Sequence, residues 1–287
     1  MQLRPRFETA RGDGIDLHLA LWEGQGPRVV CIHGLTANCR CWDPAARQLF
    51  PRFRVAAPDL RGRGRSGRPP HGYSVAHHVA DLKGLLDHLG LESAVIMGHS
   101  LGAVITLAFA ARYPERVTRA VLWDGGGQLS EAETRRVFTG IQPTLQRLAK
   151  VYADAEAYLR ARRQTPFLQP WSLALETYFR YELETVPDGV RANIQAEHIH
   201  EEIQQLGELD VGALYPRIRC PLLILRALKG LLAPDDILLP DHAVAEMRRQ
   251  MPQLRCVDLP GANHYSVLFH PNAVRDYALR EFLRPVC

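Results

Sequence analysis

The sequence has no long apolar run, no block of like charges and few cysteines for its 287 residues. Its apolar stretches, of which residues 103–111 are about the longest, fall short of the roughly 18 residues that a membrane-spanning helix requires. The residues after Met1 are polar, with no apolar segment typical of a secretory signal. We therefore expect no membrane span and a cytoplasmic location.

The charge balance argues against a nucleic-acid-binding protein, and the cysteine spacing argues against zinc and redox sites. The chain carries 35 Lys and Arg against 31 Asp and Glu, so no concentrated basic surface for nucleic acid is expected. The 6 cysteines form no pair of Cys-x-x-Cys clusters, which argues against structural zinc, and the spacing of Cys39 and Cys41 is wrong for a redox motif. No pattern in the sequence indicates a metal or cofactor, and none indicates the oligomeric state.

Short apolar runs alternate with helical patterns, which is typical of an α/β protein with a mostly parallel, doubly covered sheet. An alternating stretch over 15–22 predicts an antiparallel strand before the parallel ones. The pattern changes over 127–217, where helical periodicity dominates and we expect separate helices at 131–138 and 144–151. We therefore divide the chain into a core in two parts, 1–126 and 218–287, and a helical insertion over 127–217.

The motif Gly98-His99-Ser100-Leu101-Gly102 is the centre of the functional interpretation. It follows the strand-like run SAVIM and opens the helix-like run LGAVITLAFAARYP. This strand–turn–helix context presents the serine on a sharp turn, with glycines where side chains would clash. The pattern predicts Ser100 as a nucleophile, with the Leu101 amide as one oxyanion donor.

A serine nucleophile needs a base, and His264 lies in the loop behind the last strand-like run, in the right place to exchange a proton with Ser100. The second oxyanion donor is expected from the Leu35 amide, which follows His33 and Gly34 at the end of an early strand. For His33 we favour a structural role in that loop, and for His99 a packing or hydrogen-bonding role. Both are also candidate pocket residues.

The stretch Asp59-Leu60-Arg61-Gly62-Arg63-Gly64-Arg65-Ser66-Gly67 contains a Gly-x-Gly-x-x-Gly pattern. In a dinucleotide site these glycines would open a helix. Here Pro69 and Pro70 follow and the next helix begins near Ser74, so the pattern does not favour nucleotide binding.

On four landmarks in chain order, the sequence resembles the α/β-hydrolase superfamily: His33-Gly34, residues 59–66 (DLRGRGRS), residues 98–102 (GHSLG) and residues 261–264 (GANH). The resemblance implies a mostly parallel eight-stranded sheet flanked by helices. It also implies that the insertion over 127–217 is a lid, with a pocket between lid and core.

The acid that would orient His264 has three candidates. In most members of this superfamily it follows the strand after the lid, where Asp235 and Asp236 come later than the usual pattern. In some members, including one group of dehalogenases, it follows the strand after the nucleophile helix, and here Asp124 stands at that place, before three glycines. We favour Asp124 and keep Asp236 and Asp235 as alternatives.

With a serine nucleophile we expect hydrolysis of a small-molecule carboxylic ester or lactone through an acyl-enzyme. A carbon–carbon bond hydrolase, a cofactor-free perhydrolase and a non-catalytic ligand-binding member are the alternatives. Aromatic side chains in the insertion, Phe167, Trp171 and Tyr178 among them, are candidate pocket residues.

Overall fold

The computed structural model describes residues 3–230 and 236–284, and an eight-stranded sheet forms its centre. The strands are β1 (Arg6–Arg11), β2 (Asp16–Trp22), β3 (Arg28–Ile32), β4 (Arg54–Pro58), β5 (Ala94–His99), β6 (Val117–Trp123), β7 (Leu183–Val186), β8 (Gly189–Ala192), β9 (Leu222–Ala227) and β10 (Leu254–Leu259). The large sheet has the order β1-β2-β4-β3-β5-β6-β9-β10, and β7 pairs only with β8. Antiparallel pairing is confined to β1–β2 and β2–β4 within this sheet, so the expected mostly parallel sheet is confirmed.

Strand β3 shows why the central strands are apolar without interruption. Val29 and Cys31 point into one hydrophobic cluster, and Val30 and Ile32 point into another. All four side chains are buried. Because successive side chains of a strand face opposite sides of a sheet, a strand covered on both faces needs apolar residues at every position.

Ten α-helices surround the sheet in the described part of the chain. They are α1 (Asp43–Leu49), α2 (Val75–His88), α3 (Leu101–Arg112), α4 (Glu131–Ala149), α5 (Ala155–Arg163), α6 (Leu173–Tyr181), α7 (Ala196–Gly207), α8 (Asp241–Gln250), α9 (Ser266–Phe269) and α10 (Ala273–Leu283). Apolar residues of α2, α3 and α8 share one cluster with the sheet, and those of α1, α9 and α10 share the other. The sheet is thus the middle layer of three.

The segment between β6 and β9 differs in two ways from the sequence-based expectation. The two helices expected at 131–138 and 144–151 are one continuous helix, α4, which contains Pro143. Pro143 has no N–H to donate to the carbonyl of Thr139, four residues earlier. Both residues lie on the exposed side of α4, where solvent reaches that carbonyl. The segment also contains the β7–β8 hairpin, although we expected only helices there.

One further strand was not anticipated: β1 pairs antiparallel with β2 along the outer edge of the sheet. Within residues 3–230 and 236–284, no helix has the length and apolar character needed to cross a membrane.

Candidate active site

Ser100 occupies a strained turn between β5 and α3. Its backbone has φ 56° and ψ −120°, a conformation that is unfavourable for a residue with a side chain. The neighbouring glycines permit it: a Cβ on Gly98 would lie 2.0 Å from the carbonyl oxygen of Gly102, and a Cβ on Gly102 would lie 2.1 Å from that of Ile32. The chain therefore crosses itself closely here, and Ser100 projects from the start of α3.

His264 lies in the loop between β10 and α9. Its Nδ1 is 2.8 Å from Oδ2 of Asp124, and the two side chains are 12% and 2% exposed. A carboxylate accepts hydrogen bonds, so this contact places the imidazole hydrogen on Nδ1 and leaves Nε2 as the proton acceptor. The pair thus has the geometry of a base and the acid that orients it.

Asp124 follows β6 directly, with φ 48°. Its second carboxylate oxygen accepts a hydrogen bond from the Ala227 amide at 3.0 Å, and its own amide donates to Leu225 at 2.9 Å. Both partners belong to β9, the strand beside β6, so the carboxylate is fixed by the sheet itself. The Nδ1 hydrogen of His264 is directed at this carboxylate, and the geometry therefore favours Asp124 over Asp236. Asp235 lies outside the described residues.

Ser100 and His264 both line a cavity of about 400 Å³. Helix α4 contributes Val137, Phe138 and Ile141 to it, and Leu206 lies at the end of α7. The cavity therefore lies between the sheet core and the segment 127–217. Its volume is typical of a site for a small organic molecule.

The predicted pocket residues divide into two groups. His99, Phe167 and Tyr178 line the cavity, whereas His33 and Trp171 do not. The ring of Trp171 instead stacks on Phe179, with centroids 5.7 Å apart. An aromatic pattern in the sequence does not reveal which rings pack on each other.

His33 is also not a pocket residue, because its imidazole is used entirely within the protein. The Leu60 amide donates to Nε2 at 2.9 Å, so Nδ1 carries the hydrogen and donates to the Gly34 carbonyl at 2.8 Å. Burial lowers the pKa of His33 to about 4, which keeps the ring neutral. His33 therefore supports the loop and has no free nitrogen with which to act as a base.

Leu35 and Leu101 carry the two predicted oxyanion donors. Both residues line the cavity, and neither amide has a hydrogen-bond acceptor among the residues that the structure describes. Leu101 is the first residue of α3, whose N-terminal amides favour negative charge. The Leu35 amide belongs to a peptide whose carbonyl, that of Gly34, is held on the opposite side by His33 and by the Ala37 amide.

His99 supports His264 from beside the serine. Its Nε2 donates to the main-chain carbonyl of His264 at 2.9 Å, and the two rings lie 4.3 Å apart. Burial, followed by the nearby His264, lowers the pKa of His99 well below its usual value. A neutral ring in this place does not oppose the formation of a cation on His264.

Sequence reasoning missed several cavity residues, including Thr144, Tyr265 and Phe269. Tyr265 follows His264 directly, and this proximity was the one available signal for it. The contribution of α4 was obscured because the helix was expected in two pieces.

With this geometry established, the chain can be compared with known proteins. A model of the alpha/beta hydrolase fold family matches residues 27–271. The chain therefore belongs to that family of enzymes.

Among individual relatives, 2-(acetamidomethylene)succinate hydrolase of Mesorhizobium japonicum is 30% identical over 247 residues, which are 85% of this chain and 83% of that protein. A crystal structure of E-2-(acetamidomethylene)succinate hydrolase superposes with a TM-score of 0.81 at 27% identity, covering 97% of this chain and 99% of that one. Lipase LipV of Mycobacterium tuberculosis is 36% identical over 143 residues, 50% of this chain and 54% of that protein.

An uncharacterised protein of the same mycobacterium is 40% identical over 122 residues, which are 42% of this chain and 35% of that protein. The chain thus matches only about a third of that relative's length. The relatives named above for an activity are hydrolases, which supports a hydrolase of this class.

The choice of acid leads to a direct test with two matched substitutions. We expect Asp124→Asn to reduce turnover of a p-nitrophenyl ester by up to about ten-thousandfold, because an amide neither stabilises the imidazolium nor enforces the Nδ1–H tautomer. Asp236→Asn is expected to have a much smaller effect. Steady-state kinetics of both variants measure this, and circular dichroism confirms that each is folded. A folded but inactive Asp236→Asn protein beside an active Asp124→Asn protein would overturn the choice.

Proposed function

We propose that this protein is a serine hydrolase that cleaves a carboxylic ester or lactone through an acyl-enzyme, using Ser100, His264 and Asp124. The observation that carries the proposal is the 2.8 Å contact from Asp124 to His264 at a cavity that Ser100 also lines. The match to a lipase over half of the chain agrees with an ester substrate. No metal or cofactor has a part in this proposal.

In the proposed reaction, Ser100 Oγ attacks the carbonyl carbon while His264 Nε2 takes the hydroxyl proton. The carbonyl oxygen becomes negatively charged and is stabilised by the Leu35 and Leu101 amides. The proton then passes from His264 to the leaving alcohol as the ester bond breaks. Water, activated by the same histidine, attacks the acyl-enzyme and releases the acid. Asp124 stabilises the cationic imidazole in both halves.

Residues 127–217 are proposed as the lid of this site. The support is that α4 and the end of α7 supply part of the lining of the cavity that Ser100 also lines. In this interpretation the lid determines which acyl and alcohol groups fit, and the core performs the chemistry.

The cavity favours a substrate without negative charge near the ester. Its described lining contains no lysine or arginine, and residues 231–235 (LLAPD) include none by sequence. Its acidic lining residue, Glu131, is already bonded to Arg135 at 2.8 Å. An unpaired carboxylate would lose hydration on entry without gaining a charged partner. The dicarboxylate in the name of the Mesorhizobium japonicum relative is thus a poor fit here.

The nucleophile is tested by Ser100→Ala. Removal of a triad nucleophile typically costs about a million-fold in turnover, so hydrolysis should fall to the uncatalysed background while the fold is retained. Kinetics with p-nitrophenyl butyrate and a thermal melt measure the two properties. Retention of even about a tenth of wild-type activity would show that Ser100 is not the nucleophile. A wild-type protein inactive on all short esters would favour a non-catalytic, ligand-binding member.

The charge preference is tested with two esters of the same alcohol, p-nitrophenyl butyrate and mono-p-nitrophenyl succinate. They differ by a carboxylate at the end of the acyl chain. We expect kcat/KM for the neutral ester to be higher by about tenfold to a hundredfold, because the carboxylate is desolvated without a cationic partner. Glu131→Gln should change this ratio little, since Glu131 is exposed and paired. Equal kcat/KM values, or a higher value for the charged ester, would contradict the proposal that the cavity favours a substrate without negative charge.

A further inference from the structure

We propose that Arg63 is a positioning residue for the oxyanion hole and that Glu202 of α7 holds it in place, so that the helical segment completes the catalytic site. This inference rests on the proposed function. A lid that only covered the site would not affect the oxyanion hole. In this proposal the geometry of the Leu35 amide depends on Glu202, a side chain of the helical segment.

Arg63 is fully buried and reaches the oxyanion loop directly. Its Nε donates to the Leu35 carbonyl at 3.0 Å, and its Nη1 donates to the Arg61 carbonyl at 2.9 Å. The rigid guanidinium thus ties the loop at Leu35 to the loop that follows β4.

This contact completes the restraint of the Leu35 amide. The peptide before Leu35 is held through the Gly34 carbonyl by His33 and Ala37, and the peptide after it is held through the Leu35 carbonyl by Arg63. Both peptide planes that flank the Leu35 Cα are therefore anchored. The Leu35 N–H belongs to the first of these planes. Loss of the Arg63 contact would free the second plane and leave Leu35 held only through the Gly34 carbonyl, which would loosen the orientation of the N–H.

A buried guanidinium requires an anionic partner, and α7 supplies it. One carboxylate oxygen of Glu202 bonds to Nη2 of Arg63, and the other bonds to Nε2 of His78 on α2, with all three side chains buried. Burial alone would raise the pKa of Glu202, but Arg63 and His78 outweigh that effect and lower it to about 2. The carboxylate is therefore charged at neutral pH and balances Arg63.

Helix α7 makes further contacts to the same side of the core. Glu201 accepts hydrogen bonds from the Gly72 and Tyr73 amides at 2.9 and 3.0 Å, and His198 stacks on Tyr73 with ring centroids 4.1 Å apart. The C-terminal end of α7, including Leu206, lines the cavity. One helix therefore contacts the substrate region and also supplies the counter-charge for the oxyanion loop.

The test compares Arg63→Lys, Glu202→Gln and the double variant Arg63→Met/Glu202→Met with the wild type. The double variant replaces the buried pair with apolar side chains of similar size, a change that proteins often tolerate, yet it removes the bond to Leu35. We expect kcat for p-nitrophenyl butyrate to fall by about tenfold to a hundredfold at nearly constant KM, somewhat less than the loss of an oxyanion donor. Affinity for a trifluoromethyl ketone, which forms a charged tetrahedral adduct, should fall in parallel.

The matched control is Asp81→Asn. It removes the partner of Arg61, another buried arginine of the same loop, whose Nε and Nη2 lie 2.7 and 2.8 Å from the Asp81 carboxylate. No hydrogen bond or ion pair joins either side chain to Leu35 in the described part of the chain, so Asp81→Asn should lower the melting temperature and leave kcat and ketone affinity near wild type. Folded Arg63 and Glu202 variants that behave like this control would overturn the proposal.

Amide hydrogen exchange in a peptide spanning residues 33–38 gives a readout that does not depend on turnover. Exchange should be faster in the Arg63 and Glu202 variants and unchanged in Asp81→Asn. If the wild type hydrolyses no ester, the proposed function fails, and this exchange measurement alone decides whether Arg63 orders the Leu35 loop. Unchanged exchange in all folded variants would refute the positioning role.

Discussion

The close crossing of backbones at Ser100 is the constraint on which the candidate site depends. A side chain at Gly98 or Gly102 would collide with main-chain carbonyl oxygens, so the positive φ of Ser100 is possible only with these two glycines. The turn places the serine at the carboxyl end of β5 and at the start of α3. The parallel strands on either side end at the same edge and bring the Leu35 loop and Asp124 to the serine.

The register of the sheet then fixes the position of Asp124, the proposed acid. Because β6 lies between β5 and β9, Asp124 is one strand away from Ser100 and is bonded to the backbone of the next strand. His264 arrives from the loop after β10 and meets a carboxylate that is already fixed. His99 in turn donates a hydrogen bond to the backbone carbonyl of His264, so both the side chain and the main chain of His264 are held by hydrogen bonds.

The core can be predicted well from the sequence, because the patterns that indicate its strands and motifs lie in residues that are adjacent in the chain. The motif around Ser100, the apolar strands and the position of His264 each depend on a few adjacent residues. The β7–β8 hairpin also had a local signal, the turn-favouring Pro187-Asp188-Gly189, which was overlooked. In contrast, the bond from Arg63 to Leu35 and its link to Glu202 join residues far apart in the chain. Such contacts follow from packing in three dimensions, and periodicity cannot reveal them. The stacking of Trp171 on Phe179 escaped prediction for the same reason.

The two oxygens of Asp124 serve different purposes, one on His264 and the other on the Ala227 amide. This division has a consequence for substitutions at this position. If Asp124 were replaced by a residue without an acceptor atom, the amide at the end of β9 would lose its partner in a buried place, at a cost of about 1–3 kcal/mol. An asparagine at 124 would keep an acceptor oxygen for this amide and avoid that cost, so the position loses its negative charge more readily than its oxygen.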